Sequence, residues 1–249
     1  MKRLVVVTGA AGGIGFATVK LFVEKGWEAI GVDLKEPEAP VKGASFEKLD
    51  LADPGAIEAF SARVKAKYSC LDALVNNAAM QICKPLVEIT AEDFDTTMAT
   101  NLRAVFLLTG QLYPLLKAAK GAVVNTASVH SLATSADISP YAASKGGVLA
   151  VTRSMAIEFA KDGVRANAVL PGAVNTPMLH AGLSRGHVSG GTIEDRMADL
   201  GSKTVMGRVG EPHELAHAIY FLADPEWSSF VTGHGLVADG GALTRLSTE

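Results

Sequence analysis

Residues 3–22, RLVVVTGAAGGIGFATVKLF, join an apolar β-branched run, a turn with four glycines and a helical pattern without interruption. No other part of the chain narrows the choice of fold so far. A strand that enters a helix through glycines is the opening unit of a wound α/β sheet, and it brings backbone close to whatever lies above the turn. Gly9, Gly12, Gly13 and Gly15 have no Cβ to hold a pyrophosphate away, and the first N–H groups of the helix, from Gly13 and Ile14 onward, are free to meet one. A glycine cluster alone would equally serve as a tight turn with no ligand. The strand before it, the helix after it and an acid, Asp33, ending the second apolar run are the context in which such a turn holds a dinucleotide.

The rest of the chain repeats the alternation. RLVVVTG, WEAIGVDL, ASFEKLDL, LDALVNNAA, GAVVNTAS, VRANAVLPG and GLVADGG read as seven strands, and the segments between them read mostly as helices. Near-continuous Val, Leu and Ala strands with helical crossovers imply a single doubly wound Rossmann-type α/β domain over residues 1–249, a seven-stranded parallel sheet covered by helices on both faces. Residues 34–44 are too short and Pro-rich for a full crossover helix. Residues 178–205 carry glycines at 182, 186, 190, 191 and 201 with mixed polarity, and read as a mobile lid in which Ile193, Met197 and Leu200 give a short helix one apolar face.

Charge and cysteines remove several function classes. A formal net charge of -3 gives no electrostatic case for nucleic acid or an anionic membrane. Cys70 and Cys83 form neither a disulfide framework nor a zinc spacing, and no stretch approaches a membrane span, so a cytoplasmic protein with no bound metal is expected.

The segment NTASVHSLATSADISPYAASKGG, residues 125–147, holds the chemistry. Ser139 as N-cap and Pro140 as first helical residue start a helix on which Tyr141 and Lys145, four apart, share one face. Free tyrosine titrates near 10. Lowering it to neutrality needs about 4 kcal/mol, and an ammonium ~4 Å away at an effective dielectric of ~20 supplies a term of that size. Asp33 accepts from ribose hydroxyls and repels a 2′-phosphate by roughly 4 kcal/mol per charge pair on the same reckoning, which favours NAD over NADP. Asp50 and Asn76–Asn77 sit at strand ends on the same sheet edge; Asp50 suits an adenine amino group, and Asn76 suits either a ligand or a structural amide. Asn101 lies in a helical pattern whose flanks Met98, Leu102 and Val105 turn it inward, where a buried amide needs partners. Thr176-Pro177 makes an N-cap and N1 pair.

Taken together, TGAAGGIG at 8–15, NNAA at 76–79, Asn101, Ser128, Tyr141-Ala-Ala-Ser-Lys145, PGAVNTP at 171–177 and DGG at 239–241 resemble the short-chain dehydrogenase/reductase family over nearly the whole chain. One departure is Ala79, where the family usually has glycine. The resemblance implies a catalytic set of Ser128, Tyr141, Lys145 and Asn101: Tyr141 takes the substrate hydroxyl proton, Ser128 binds that oxygen, Lys145 tunes Tyr141 and holds the ribose, and Asn101 supports a water. It also implies that Gly9, Gly12, Gly13, Ile14, Gly15, Asp33, Leu34, Asp50, Leu51, Asn77, Ala78, Ala79, Pro171, Gly172, Val174 and Thr176 hold the cofactor with Tyr141 and Lys145, Val174 and Thr176 meeting the carboxamide.

The expected activity is NAD-dependent hydride transfer to or from a small polar secondary alcohol such as a sugar, polyol or hydroxy acid. Gln81, His130, Ser131, His180 and Arg185 are candidates to touch the substrate, and His187 is a further loop histidine. A 3-oxoacyl-thioester ketoreductase and a non-catalytic dinucleotide sensor are the alternatives. Two helices at roughly 91–119 and 140–161, apolar beyond one face, together with an apolar C-terminal run point to a homotetramer.

Overall fold

The computed structural model describes residues 2–184 and 191–244, so Arg185 and His187 fall outside the described residues. Seven strands form one all-parallel sheet: β1 (Leu4–Thr8), β2 (Glu28–Asp33), β3 (Ala44–Lys48), β4 (Ala73–Asn76), β5 (Ala122–Thr126), β6 (Arg165–Pro171) and β7 (Gly235–Ala238), in the order β3-β2-β1-β4-β5-β6-β7. The chain reverses its winding between β1 and β4, where Val5 pairs with Ala73 and Val7 with Val75. Crevices open at the carboxyl ends of strands at such a reversal.

Strand alternation divides the core. Leu4 and Val6 pack on the face covered by α2 (Pro54–Lys67), α4 (Ala104–Ala119) and α5 (Ser139–Phe159), against Phe60, Leu112 and Val148. Val5 and Val7 pack on the face covered by α1 (Gly13–Glu24) and α8 (Pro212–Ala223), against Phe22 and Ile219. With both faces covered, β1, β4 and β5 have no polar-out alternation, which is why these strands read as solid apolar runs. Between β2 and β3 the described chain makes only turns, so that crossover is abbreviated as its prolines imply.

Two helices depart from the sequence pattern. The expected helix over 91–119 is α3 (Ala91–Met98), a π-helical turn at Ala99–Arg103 and α4; the extra residue in that turn leaves the apolar spacing unbroken, so periodicity does not reveal it. Helix α5 starts one residue early. Ile138 is its N-cap, without a side-chain hydrogen bond, and Ser139 is already helical. The excursion after β6 holds α6 (Pro177–Leu183) and α7 (Ile193–Ser202), the latter opened by a reciprocal Thr192–Asp195 capping box, and α9 (Pro225–Ser228) follows α8.

Candidate active site

A cleft of about 570 Å³ lies at the carboxyl edge of the sheet, above the β1–β4 reversal. Its floor is the glycine turn. Gly9 and Gly13 have φ of +69° and +53°, in the left-handed region, and a Cβ on Gly9 would lie 2.8 Å from both Ala78 Cα and Asn77 Nδ2. Thr8 Oγ1 accepts from the N–H groups of Asn77 (2.9 Å) and Ala78 (3.0 Å), and Asn77 Nδ2 donates to the Thr8 carbonyl at 3.1 Å, which binds the ends of β1 and β4 together under the turn. A Cβ on Gly12 would meet nothing within 4 Å, although Gly12 lines the cleft, so this stretch of backbone faces open space. Gly12 is the N-cap of α1 and offers no side-chain cap, and no acid occupies the first turn. An uncapped helix start on an open cleft is the chemistry a pyrophosphate needs, and the residues fit a dinucleotide.

Asp33 stands at the end of β2 on the cleft wall. Its Oδ2 accepts from the Ala11 N–H at 3.0 Å and its Oδ1 from the Lys35 N–H at 3.4 Å, which aims the carboxylate while leaving acceptor capacity.

At the opposite end, Ser128, Tyr141 and Lys145 line the same cleft. Ser128 follows β5, and its Oγ accepts from the His130 N–H at 3.2 Å. Lys145 is buried, with Nζ donating to the Thr126 carbonyl at 2.7 Å and lying 5.6 Å from the centroid of the Tyr141 ring. Burial pushes its amine down to about 7. Burial pushes the Tyr141 phenol up, against a smaller opposing effect of its hydrogen bond with Ser128. Desolvation thus acts on both groups, and it opposes the charged forms that attraction between an ammonium and a phenolate would favour. The His130 ring stands edge-on to Tyr141 at 5.9 Å, its Nδ1 3.1 Å from Thr134 Oγ1, and burial lowers its pKa.

The cleft also gathers Ile14, Ala79, Gln81, Pro171, Gly172, Val174 and Thr176. Val174 is held by a parallel bridge to Gly210, and Thr176 Oγ1 accepts from the Leu179 N–H at 3.3 Å as the N-cap of α6.

Other nominated residues stand off the wall. Gly15 lies under the turn, where a Cβ would sit 2.0 Å from the Gly9 carbonyl oxygen, so its role is close packing. Leu34 is exposed, Leu51 is buried in the core, and Asp50 Oδ1 accepts from the Ala52 N–H at 2.8 Å in a local turn. Asn76 is structural: Nδ2 donates to Asn125 Oδ1 at 2.8 Å and to Thr109 Oγ1 at 3.2 Å. Asn101 is buried behind the cleft. Its Oδ1 accepts from the Met80 N–H at 2.8 Å, while Nδ2 donates to the Met80 carbonyl (2.9 Å) and Ser144 Oγ (3.0 Å). Both amide protons are spent, so the side chain positions the loop after β4 and has only one lone pair left for a water. Ser131 is half-buried and off the wall, its hydroxyl oxygen enclosed without a hydrogen-bond partner, and His180 binds Asn175.

Sequence reasoning missed Thr126, whose carbonyl moors Lys145, and Thr8, whose hydroxyl moors Asn77. It placed Leu200, Lys203 and Thr204 only as part of a lid, and all three line the cleft. On α8, His213 and His217 are one turn apart around Glu214, a spacing suited to metal, yet Glu214 is paired with Arg208 at 2.7 Å and held at about 2. Among the described residues no group of three or more metal-ligating side chains occurs, and no helix is long and apolar enough to cross a membrane.

The chain matches the family model described as enoyl-(acyl carrier protein) reductase over residues 9–243. The 3-oxoacyl-(acyl-carrier-protein) reductase FabG of Thermotoga maritima is 34% identical over 252 residues, 97% of this chain and 98% of that one. A 2,5-dichloro-2,5-cyclohexadiene-1,4-diol dehydrogenase of Sphingobium indicum is 36% identical over 249 residues, 96% of each chain. Among solved structures, the ligand-free aldohexose dehydrogenase of Thermoplasma acidophilum superposes with a TM-score of 0.93 at 28% identity, covering 99% of this chain and 96% of that one.

Proposed function

The chain belongs to the short-chain dehydrogenase/reductase family, and on that premise we propose that it is an NAD-dependent oxidoreductase that moves a hydride between nicotinamide and a small polar secondary alcohol: a sugar, polyol or hydroxy acid. One observation supports this above the others. Ser128, Tyr141 and Lys145 open onto the same cleft as an uncapped glycine turn and the Asp33 carboxylate.

Gly12, Gly13 and Ile14 would hold the pyrophosphate, Asp33 the adenosine ribose, and Val174 with Thr176 the carboxamide. Asp33 favours NAD, since a 2′-phosphate there would face a like charge. When bound, the nicotinamide accepts or donates the hydride, so no metal is required. The chain has a proton to manage. Ser128 Oγ donates to the substrate oxygen, and Tyr141 Oη exchanges the proton with it. The resting phenol is protonated, which suits it to give a proton to a ketone; oxidation of an alcohol needs it ionised, and a charged Lys145 Nζ on the same helix face favours that form. A water-sequestering lid over 178–205, whose described closing element is α7, and a homotetrameric assembly belong to the same proposal.

Similarity to FabG favours a second reading, a 3-oxoacyl-thioester ketoreductase. The two separate by cofactor and substrate. Purified protein is mixed with NAD or NADP and a panel of sugars, polyols and hydroxy acids, and with NADH or NADPH and a 3-oxoacyl thioester, following nicotinamide absorbance. Reduction of NAD by a polar alcohol is expected. Turnover confined to NADPH and the thioester would establish the second reading.

A further inference from the structure

Asn175 lies between Val174 and Thr176, yet its side chain faces away from the cleft. Its Nδ2 points at the Glu211 carboxylate, 3.3 Å from Oε1 and 3.5 Å from Oε2. A carboxylate only accepts, so the amide orientation is settled and Oδ1 is the atom that faces His180 Nε2, 2.8 Å away. His180 Nε2 must then carry a proton and donate, as either the neutral Nε2–H tautomer or the imidazolium does. The backbone fixes the near end as well: the Asn175 N–H donates to the Gly210 carbonyl at 2.8 Å, and the Gly210 N–H donates to the Ala173 carbonyl at 3.0 Å. His180 sits on α6, whose residues Met178 and Leu179 line the same cleft as Tyr141 and Ser128.

We infer that Asn175 and His180 are positioning residues: with Glu211 they clamp α6 at a fixed angle to the 174–176 segment, so that the Met178–Leu179 wall is set before substrate arrives. The cleft's being the substrate site rests on the function proposed above; the clamp itself does not. His180 therefore works from outside the cleft and does not touch the substrate.

Two variants and two readouts test this. His180→Ala removes the donor, whereas His180→Gln returns an N–H at nearly the same reach. Amide exchange across 177–183 in the protein without cofactor should speed up about fivefold in His180→Ala, the factor expected from one exposed hydrogen bond, and return towards wild type in His180→Gln. KM for the alcohol should rise by a similar factor in His180→Ala alone, with kcat and NAD affinity within twofold of wild type. Exchange unchanged in His180→Ala would overturn the clamp. Equal KM losses in both variants would show that the imidazole itself meets substrate, which also overturns it. If the wild type turns over no alcohol, the exchange result still decides the clamp, and only the functional reading fails.

Discussion

Tyr141 and Lys145 show what spacing reveals and what it leaves out. Four residues apart on a helix, they had to share a face, and that was legible in the sequence. Their charge states were not, because these follow from burial that only the packed α5, β5 and the Thr126 carbonyl create. A lysine at about 7 in the fold and near its ordinary 10.5 when unfolded binds more protons in the unfolded chain between those values. Stability due to this group therefore rises with pH from about 7 towards 10.5, and below 7 the full penalty applies, roughly 5 kcal/mol as an upper bound. Lys145→Met should raise the urea midpoint at pH 7 and flatten that rise relative to wild type, while NAD binding weakens; a variant less stable than wild type at pH 6 would contradict the burial account. Asp33 was legible as an acid ending a strand, and its aim by the Ala11 N–H was not. Asp33→Ala with Leu34→Arg should shift the NADP to NAD ratio of kcat/KM upward by an order of magnitude or more. An unchanged ratio would place the adenosine ribose elsewhere.

At the scale of elements, the central strands β1, β4 and β5 were readable because strands covered on both faces are apolar throughout, whereas the edge strand β3 (Ala44–Lys48) is half-exposed and was readable only from its place in the alternation of strands and helices. The π-turn at Ala99–Arg103 was not, since one inserted residue disturbs hydrogen bonding more than the apolar pattern; the sequence nevertheless turned Asn101 inward correctly from Met98, Leu102 and Val105. The start of α5 was missed by one residue because Ser139 resembles an N-cap, while the chain enters through Ile138, which is buried. Helix α7 was foreseen from Ile193, Met197 and Leu200, and Leu200 reaches the cleft. Helix α6 is held by its His180 clamp, so closure should fall mainly on α7. Exchange across 193–202 should slow several-fold on adding NAD with a substrate analogue, whereas Leu4–Val7 change little. Equal protection with and without ligands would remove the lid.

For the whole molecule, the apolar excess expected on the two long helices is mostly internal. Leu112, Leu115, Leu116, Val148 and Met155 are buried within the chain, leaving Phe106 and Ile157 outside. A larger unpartnered surface comes from Phe221, Trp227, Phe230, Val237 and Leu243, near the C-terminal strand, with Phe230 fully exposed. A tetramer built on two different two-fold axes would cover both sets of exposed side chains, and light scattering should then give four times the 25.9 kDa chain mass; the mass of one chain would contradict assembly, and twice that mass would leave a single interface. Assembly does not decide the chemistry. Tyr141 exchanges the substrate proton beside a cofactor that other residues hold, and Tyr141→Phe separates the two roles when NAD affinity and turnover are measured on the same sample. NAD binding within about threefold of wild type and turnover reduced by at least three orders of magnitude are expected, in line with the loss of the group that exchanges the proton with the substrate oxygen. Turnover retained at a tenth of wild type would contradict that role.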